Sequence, residues 1–197
     1  MGFKMRDANQ QIMKFNKDKN FKSDDFHVTN SNRQVFQYIN MWPKWEKNFL
    51  NISGENLSGK THLISIFLDK FKGIKFDAKK FNDSDLDRIK NYQNIIIEDL
   101  TTDINEKLIY TLYNVVDQSE KYLIISSTEP IVNLDINLID LKSRFKNFLL
   151  QKIQKPDDEL IFGLILKNLS DQQISLDKKL INYIINRIDR SYGKIFD

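Results

Sequence analysis

The sequence predicts an α/β fold: a parallel sheet with helices on both faces, followed by a small all-helical end. Three observations carry this reading. Short apolar runs recur at 49–53, 74–76, 92–100, 122–126 and 148–153, and helix-period segments fill most of the intervals between them. The octad Gly54-Glu-Asn-Leu-Ser-Gly-Lys-Thr61 sits between the first apolar run and a helical pattern. Beyond Pro156 the strand-like runs stop, and only helical periodicity remains.

Residues 1–22 are polar and rich in Lys and Asn, and read as a flexible tail with one apolar knot, Ile12-Met13-Lys14-Phe15. A helical pattern begins at Asn32 and runs to about Met41, where Trp42-Pro43 closes it. FLNIS at 49–53 is the first strand, and 61–71 is a helix with Leu63, Ile64, Phe67, Leu68 and Phe71 on one stripe. Residues 74–76 read as the second strand. The run 92–100 holds Ile95-Ile96-Ile97, which marks a buried strand, and 104–119 is helical with Leu108, Leu112, Val115 and Val116 at helix spacing. Residues 122–126 and 148–153 supply the fourth and fifth strands. These elements make 23–155 one α/β domain and 156–197 a helical appendage. In the appendage, Asp157-Asp158 caps and charges a helix to about Leu169. Ser175 or Asp177 begins a second, carrying Leu180, Ile181, Ile184, Ile185 and Ile188.

Composition narrows the function classes. The chain has 197 residues, no cysteine and a net charge of +3. A disulfide framework, a thiolate zinc site and a cysteine nucleophile are thereby excluded. No apolar run approaches the ~18 residues of a membrane span, and the start MGFKMRDANQQ lacks a signal-peptide core, so a cytoplasmic protein is expected. Lysines and arginines are not clustered with aromatics, and sequence-specific DNA binding is not expected.

The chemistry gathers at the ends of the apolar runs. Gly-x4-Gly-Lys-Thr between a strand and a helix is a phosphate cradle: backbone N–H groups face the phosphate oxygens, Lys60 supplies positive charge, and the Thr61 hydroxyl is placed for Mg2+. Leu57 stands where such loops often need a positive φ, which strains a leucine; Asn56 tolerates that region better, so a re-shaped loop is expected. Glu98 and Asp99 end the triple-isoleucine strand, Glu98 at the expected metal position and Asp99 at the expected base position. Ser126-Ser127-Thr128 ends the next strand with hydroxyls suited to a water or a γ-phosphate. Arg144, between the fourth and fifth strands, is placed to reach a neighbouring molecule's phosphate. His27 and His62 lack metal-ligand spacing.

Six segments in order carry a family likeness: Phe26-His-Val-Thr-Asn-Ser-Asn32, the octad followed by His62-Leu63, the Ile97-Glu-Asp99 strand end, Leu141-Lys-Ser-Arg-Phe145, Pro156-Asp-Asp-Glu-Leu160 and Arg187-Ile-Asp-Arg-Ser191. The chain resembles the ATPase domain of the bacterial replication initiator DnaA, and is most similar to the shorter Hda-type regulators that inactivate it. The likeness spans about residue 10 to 197. It implies an AAA+ fold with a truncated helical lid at 156–197, and a site binding ADP or ATP with Mg2+. Phe26, Val28 and Asn32 would line the adenine pocket, and Gly54, Asn56, Ser58, Gly59, Lys60, Thr61 and His62 would hold the phosphates. A lid cation would come from Arg190 or Lys194. Thr61 and Glu98 would serve the metal, Asp99 and Ser127 the attacking water, and Arg144 would act in trans as an arginine finger. Partners implied are DnaA, a sliding clamp docked by Gln10, Ile12 or Met13, and Phe15, and further copies of the chain. With no segment after residue 197, origin recognition is not expected. A helicase loader is the alternative that shares this core, and a small-substrate phosphoryl-transfer enzyme a third.

Overall fold

Alternation along each strand sorts consecutive apolar residues onto opposite faces of a sheet, so a run such as Ile95-Ile96-Ile97 requires a core on each side. The computed structural model describes residues 25–196; the clamp-docking positions Gln10, Ile12, Met13 and Phe15 lie outside them. Five strands, β1 (Phe49–Ser53), β2 (Ile74–Asp77), β3 (Asn94–Leu100), β4 (Tyr122–Ser127) and β5 (Leu149–Lys152), form one sheet in the order β2-β3-β4-β1-β5. All four pairings are parallel, with Phe49 opposite Leu123, Leu50 opposite Leu149, Ile74 opposite Ile95 and Asn94 opposite Tyr122.

The two cores follow the alternation. Leu50, Ile52, Ile96 and Ile124 pack with Val35 and Ile39 of α1 (Arg33–Asn40) and with Leu63, Ile64 and Phe67 of α2 (Lys60–Phe71). Phe49, Ile95, Ile97, Leu123 and Ile125 face the other way. There they meet Leu86 of α3 (Asp83–Arg88), Leu108 and Leu112 of α4 (Glu106–Gln118), and Leu141 and Phe145 of α5 (Ile139–Phe145). After β5 come α6 (Asp158–Asp171), α7 (Lys178–Ile185) and α8 (Tyr192–Phe196), joined by their own cluster of Ile161, Ile181, Ile185 and Ile195.

Every expected strand is present, with ends within about two residues of the expected ones. Two short helices were not expected: α3 is held by a capping box between Asn82 and Asp85, and α5 spans seven residues, whereas the five-residue α8 stands where the resemblance implies the last lid helix. Such lengths give too few turns for an apolar period to declare itself. α4 starts at Glu106 because the Asn105 side chain accepts a hydrogen bond from the Leu108 N–H. Asp177, and not Ser175, caps α7, and that helix stops at Ile185 short of Ile188. Among the described residues no helix is long and apolar enough to cross a membrane.

Candidate functional site

The octad links the end of β1 to α2 at the carboxyl edge of the sheet, where ligands of open parallel sheets bind. Gly54 has no space for a side chain: a Cβ there would stand 2.7 Å from Ser58 Oγ and 3.2 Å from Ile153 Cβ. Gly59 caps α2 at φ 94°, which favours glycine, and a Cβ would press on the Phe26 ring at 3.1 Å. Leu57 itself takes φ 65° with its side chain exposed, so the loop is not re-shaped around Asn56; it keeps the left-handed turn and bears the strain. The turn closes through the Ser58 N–H donating to the Glu55 carbonyl.

Lys60 is buried, and its Nζ donates to the carbonyls of Gly54 (2.8 Å) and Glu55 (2.9 Å). Burial lowers its pKa, while the carboxylates of Asp99 and Glu98 pull the other way. The buried Ser58 hydroxyl has no partner among the described residues. A desolvated ammonium, an unpartnered hydroxyl and the N-terminus of α2 together fit an oxyanion such as a phosphate. Thr61 follows in the first turn of α2.

An aromatic slot abuts the cradle. Phe26 stacks on Phe36 with ring centroids 5.7 Å apart and meets His62 edge-on at 5.2 Å. Asn32 fixes the approach: its Oδ1 accepts from the Thr29 N–H and its Nδ2 donates to the His27 carbonyl. Val28 lies half-buried in the same segment. This segment also reaches the C-terminal helices. The Ser31 N–H donates to Asp157, which caps α6; Gln154 N–H donates to the Ser31 carbonyl; and Tyr192 OH donates to the Gln154 carbonyl. Burial raises the Tyr192 pKa to about 12, opposed by a hydrogen bond from Ser31 and aided by Asp157 and Glu55.

The end of β3 is arranged differently. Glu98 is paired by Lys75 of β2, Nζ to Oε2 at 2.8 Å, and its Oε1 is buried without a partner among the described residues. Asp99 is exposed at φ 56°, where β3 slips register against β4, and its N–H donates to Ser126 Oγ. Ser127 is buried, accepting from Asn51 Nδ2 and donating to the Glu129 carbonyl, so its hydroxyl is committed inside the fold. The donor set expected for Mg2+ therefore does not fit as built: an ammonium holds one oxygen of Glu98, Asp99 is turned to the surface, and among the described residues no cluster of acidic or histidine side chains gathers there.

Arg144 lies on α5, whose Leu141 and Phe145 enter the core on the sheet face opposite α2. Its guanidinium covers the Tyr113 ring at 5.2 Å and forms no ion pair among the described residues. Arg190, between α7 and α8, pairs with Asp158 at 2.9 Å, and Lys194 lies on the exposed side of α8. Sequence reasoning missed Phe36 and Lys75, and it placed Ser126 at the strand end but not as the acceptor of the Asp99 N–H. Phe36 had a signal, an aromatic ten residues after Phe26 in the adjoining helix; Lys75 had none, because its partner depends on strand register.

The strand order, the parallel pairing and the loop at the edge of the sheet define the fold class: the chain has the AAA+ type of α/β fold, with a helix-linked loop at the carboxyl edge of a five-stranded parallel sheet. No protein-family model matches the chain. Among solved structures it is similar to a DNA replication initiation factor, with a TM-score of 0.74 at 19% identity over 90% of this chain and 62% of that one. It is also similar to replication initiator DnaA bound to AMPPCP and single-stranded DNA (TM-score 0.69, 19% identity, 88% of this chain and 61% of that one). Domain III of Thermotoga maritima DnaA aligns with a TM-score of 0.69 at 20% identity, over 90% of this chain and 85% of that domain. The chain thus spans less than two thirds of the first two proteins it matches.

Proposed function

We propose that this chain is a nucleotide-binding AAA+ regulator of DnaA: it holds ADP or ATP in its own cradle, docks on the sliding clamp through the tail around Gln10–Phe15, and stimulates hydrolysis of the ATP held by DnaA. The nucleotide would sit with its base against Phe26, Phe36 and His62 and its phosphates at the octad. In that complex Lys60 neutralises phosphate charge, and the loop N–H groups orient it. Bound nucleotide would stiffen the contact between the 26–32 segment and the C-terminal helices, which share Asp157 and Tyr192. The helices from residue 156 act as its lid, with Arg190 or Lys194 supplying the lid cation.

The observation that carries the regulatory half is the position of Arg144. It lies on α5, on the sheet face opposite α2, half exposed and without a carboxylate partner among the described residues. An unpaired guanidinium on a short helix, away from its own phosphate site, suits a finger offered to a second molecule. Single-turnover hydrolysis of labelled ATP on DnaA, with clamp loaded on DNA, tests this. Arg144→Ala should lose most of the stimulation, an effect on the order of 10^3-fold, while Lys142→Ala should lose little. Equal small losses would make Arg144 a surface residue. Absence of stimulation by the unmodified chain would turn the reading to a helicase loader.

A further inference from the structure

Lys75 pairs with Ile96 across β2 and β3, so its side chain shares a face with Ile96 and, two residues on, with Glu98. That face is the one α2 covers, since Ile96 packs in one core with Leu63, Ile64 and Phe67. The Lys75 ammonium therefore reaches Glu98 from the edge of the sheet while the phosphate cradle approaches it from α2. The contact is 2.8 Å, with the Glu98 side chain 12% exposed and that of Lys75 35% exposed. Glu98 acts on the charge of Lys60, which places it within the electrostatic reach of the cradle. Lys75 contacts the carboxylate directly, and Glu98 bears on Lys60 only through space.

Mg2+ demands near-octahedral oxygen ligands at about 2.0–2.1 Å and surrenders its waters reluctantly. At Glu98 it meets a carboxylate whose Oε2 is already held by a tethered cation, with only the buried Oε1 left without a partner among the described residues. The neighbouring Asp99 is turned to φ 56° and lies at the surface, so it does not form a buried pair with Glu98. Among the described residues no group of three or more acidic or histidine side chains is gathered for a metal. We propose that Lys75 is a built-in cation that takes the place of the divalent metal at Glu98, so that this chain holds its nucleotide with little dependence on Mg2+. This rests on the nucleotide reading given above and deepens it: a site that neutralises its metal carboxylate from within is built to retain a nucleotide.

The test is an equilibrium titration of the full chain with a fluorescent ADP, in Mg2+ and in EDTA, for the unmodified protein, Lys75→Met and Lys75→Arg. The unmodified protein and Lys75→Arg should bind within about threefold in the two conditions. Lys75→Met should bind at least about tenfold tighter in Mg2+ than in EDTA. Lys75→Gln is measured in parallel, so that a folding defect of the methionine variant does not decide the outcome. Mn2+ electron paramagnetic resonance without nucleotide reads the metal alone, with more bound Mn2+ expected in the methionine and glutamine variants. Strong Mg2+ dependence in the unmodified protein, or equal dependence in all variants, overturns the inference. Absence of ADP binding by any of them overturns the nucleotide reading instead, and Mn2+ bound equally by all then overturns the role of Lys75 as well.

Discussion

The loop after β1 and the end of β3 lie at the same edge of one sheet, yet they are prepared in opposite ways. At the loop, Lys60 is desolvated against two backbone carbonyls, the Ser58 hydroxyl is left open, and glycines stand at 54 and 59 where a Cβ would collide. The desolvated ammonium and the unpartnered hydroxyl each cost stability unless an anion arrives to meet them, and the two glycines keep side chains out of the turn. At the β3 end most groups are already met: Lys75 holds Oε2 of Glu98 and leaves only Oε1 without a partner among the described residues, Ser126 takes the Asp99 N–H, and the Ser127 hydroxyl is spent on Asn51 and Glu129. The difference teaches that phosphate binding and hydrolysis draw on separable groups.

The largest effect short of the cradle itself belongs to the aromatic slot. Phe26→Ala removes the ring that stacks on Phe36 and touches His62, and base–aromatic stacking contributes ~1–3 kcal/mol. ADP affinity should fall about tenfold, while competition by pyrophosphate, which has no base, should be unchanged. An equal loss for both ligands would mean that Phe26 shapes the loop and does not receive a base. Isothermal titration with the two competitors separates the cases.

A smaller effect sits on the loop tip. Leu57 holds φ 65° with an exposed side chain, and the left-handed region costs a non-glycine residue ~1–2 kcal/mol. Leu57→Gly relieves that strain but adds freedom to the unfolded chain, which takes back ~0.4–1 kcal/mol. A net gain of up to ~1 kcal/mol is expected as a higher urea midpoint, with nucleotide affinity maintained. A lower midpoint would show that the leucine side chain contributes packing the exposed position does not reveal.

The smallest effect is on pH dependence. Tyr192 has an ordinary pKa of 10.0 and is raised to about 12 by burial. An acid raised on folding contributes stability that is complete below pH 10 and is lost as pH climbs from 10 towards 12, because the unfolded chain releases its proton first. Tyr192→Phe should flatten the alkaline fall in melting temperature over that interval. An unchanged slope would assign the alkaline loss to other groups.

These contrasts were unevenly legible in the sequence. The five strands were readable because fully buried parallel strands need unbroken apolar runs, and Ile95-Ile96-Ile97 declares one. The octad was readable because its glycines, lysine and threonine fall at fixed spacing within one short stretch. The pairing of Lys75 with Glu98 was not, since the residues are 23 apart in the chain and only the register of β2 on β3 brings them together. The choice between Arg190 and Lys194 was open for the same reason: the Asp158 that engages Arg190 lies on α6, at the far end of the helical unit's sequence. Leu57 shows the reverse case, where the strain was foreseen and the chain was expected to avoid it by using Asn56. The helix start at Lys60 and the turn from Glu55 to Ser58 fix the backbone, and the leucine follows.

The central claim is that the octad is an open phosphate cradle, and the most direct measurement is titration of a fluorescent ADP against the unmodified chain and Lys60→Ala. Lys60 supplies the buried cation, and a charge-assisted contact contributes ~1.5–3 kcal/mol. The variant should bind well over tenfold more weakly, with a melting temperature in the absence of nucleotide close to that of the unmodified chain, since the desolvated ammonium is a cost to the empty fold. Equal affinity in the two proteins would contradict the phosphate geometry and, with it, the reading of this chain as a nucleotide-holding AAA+ protein.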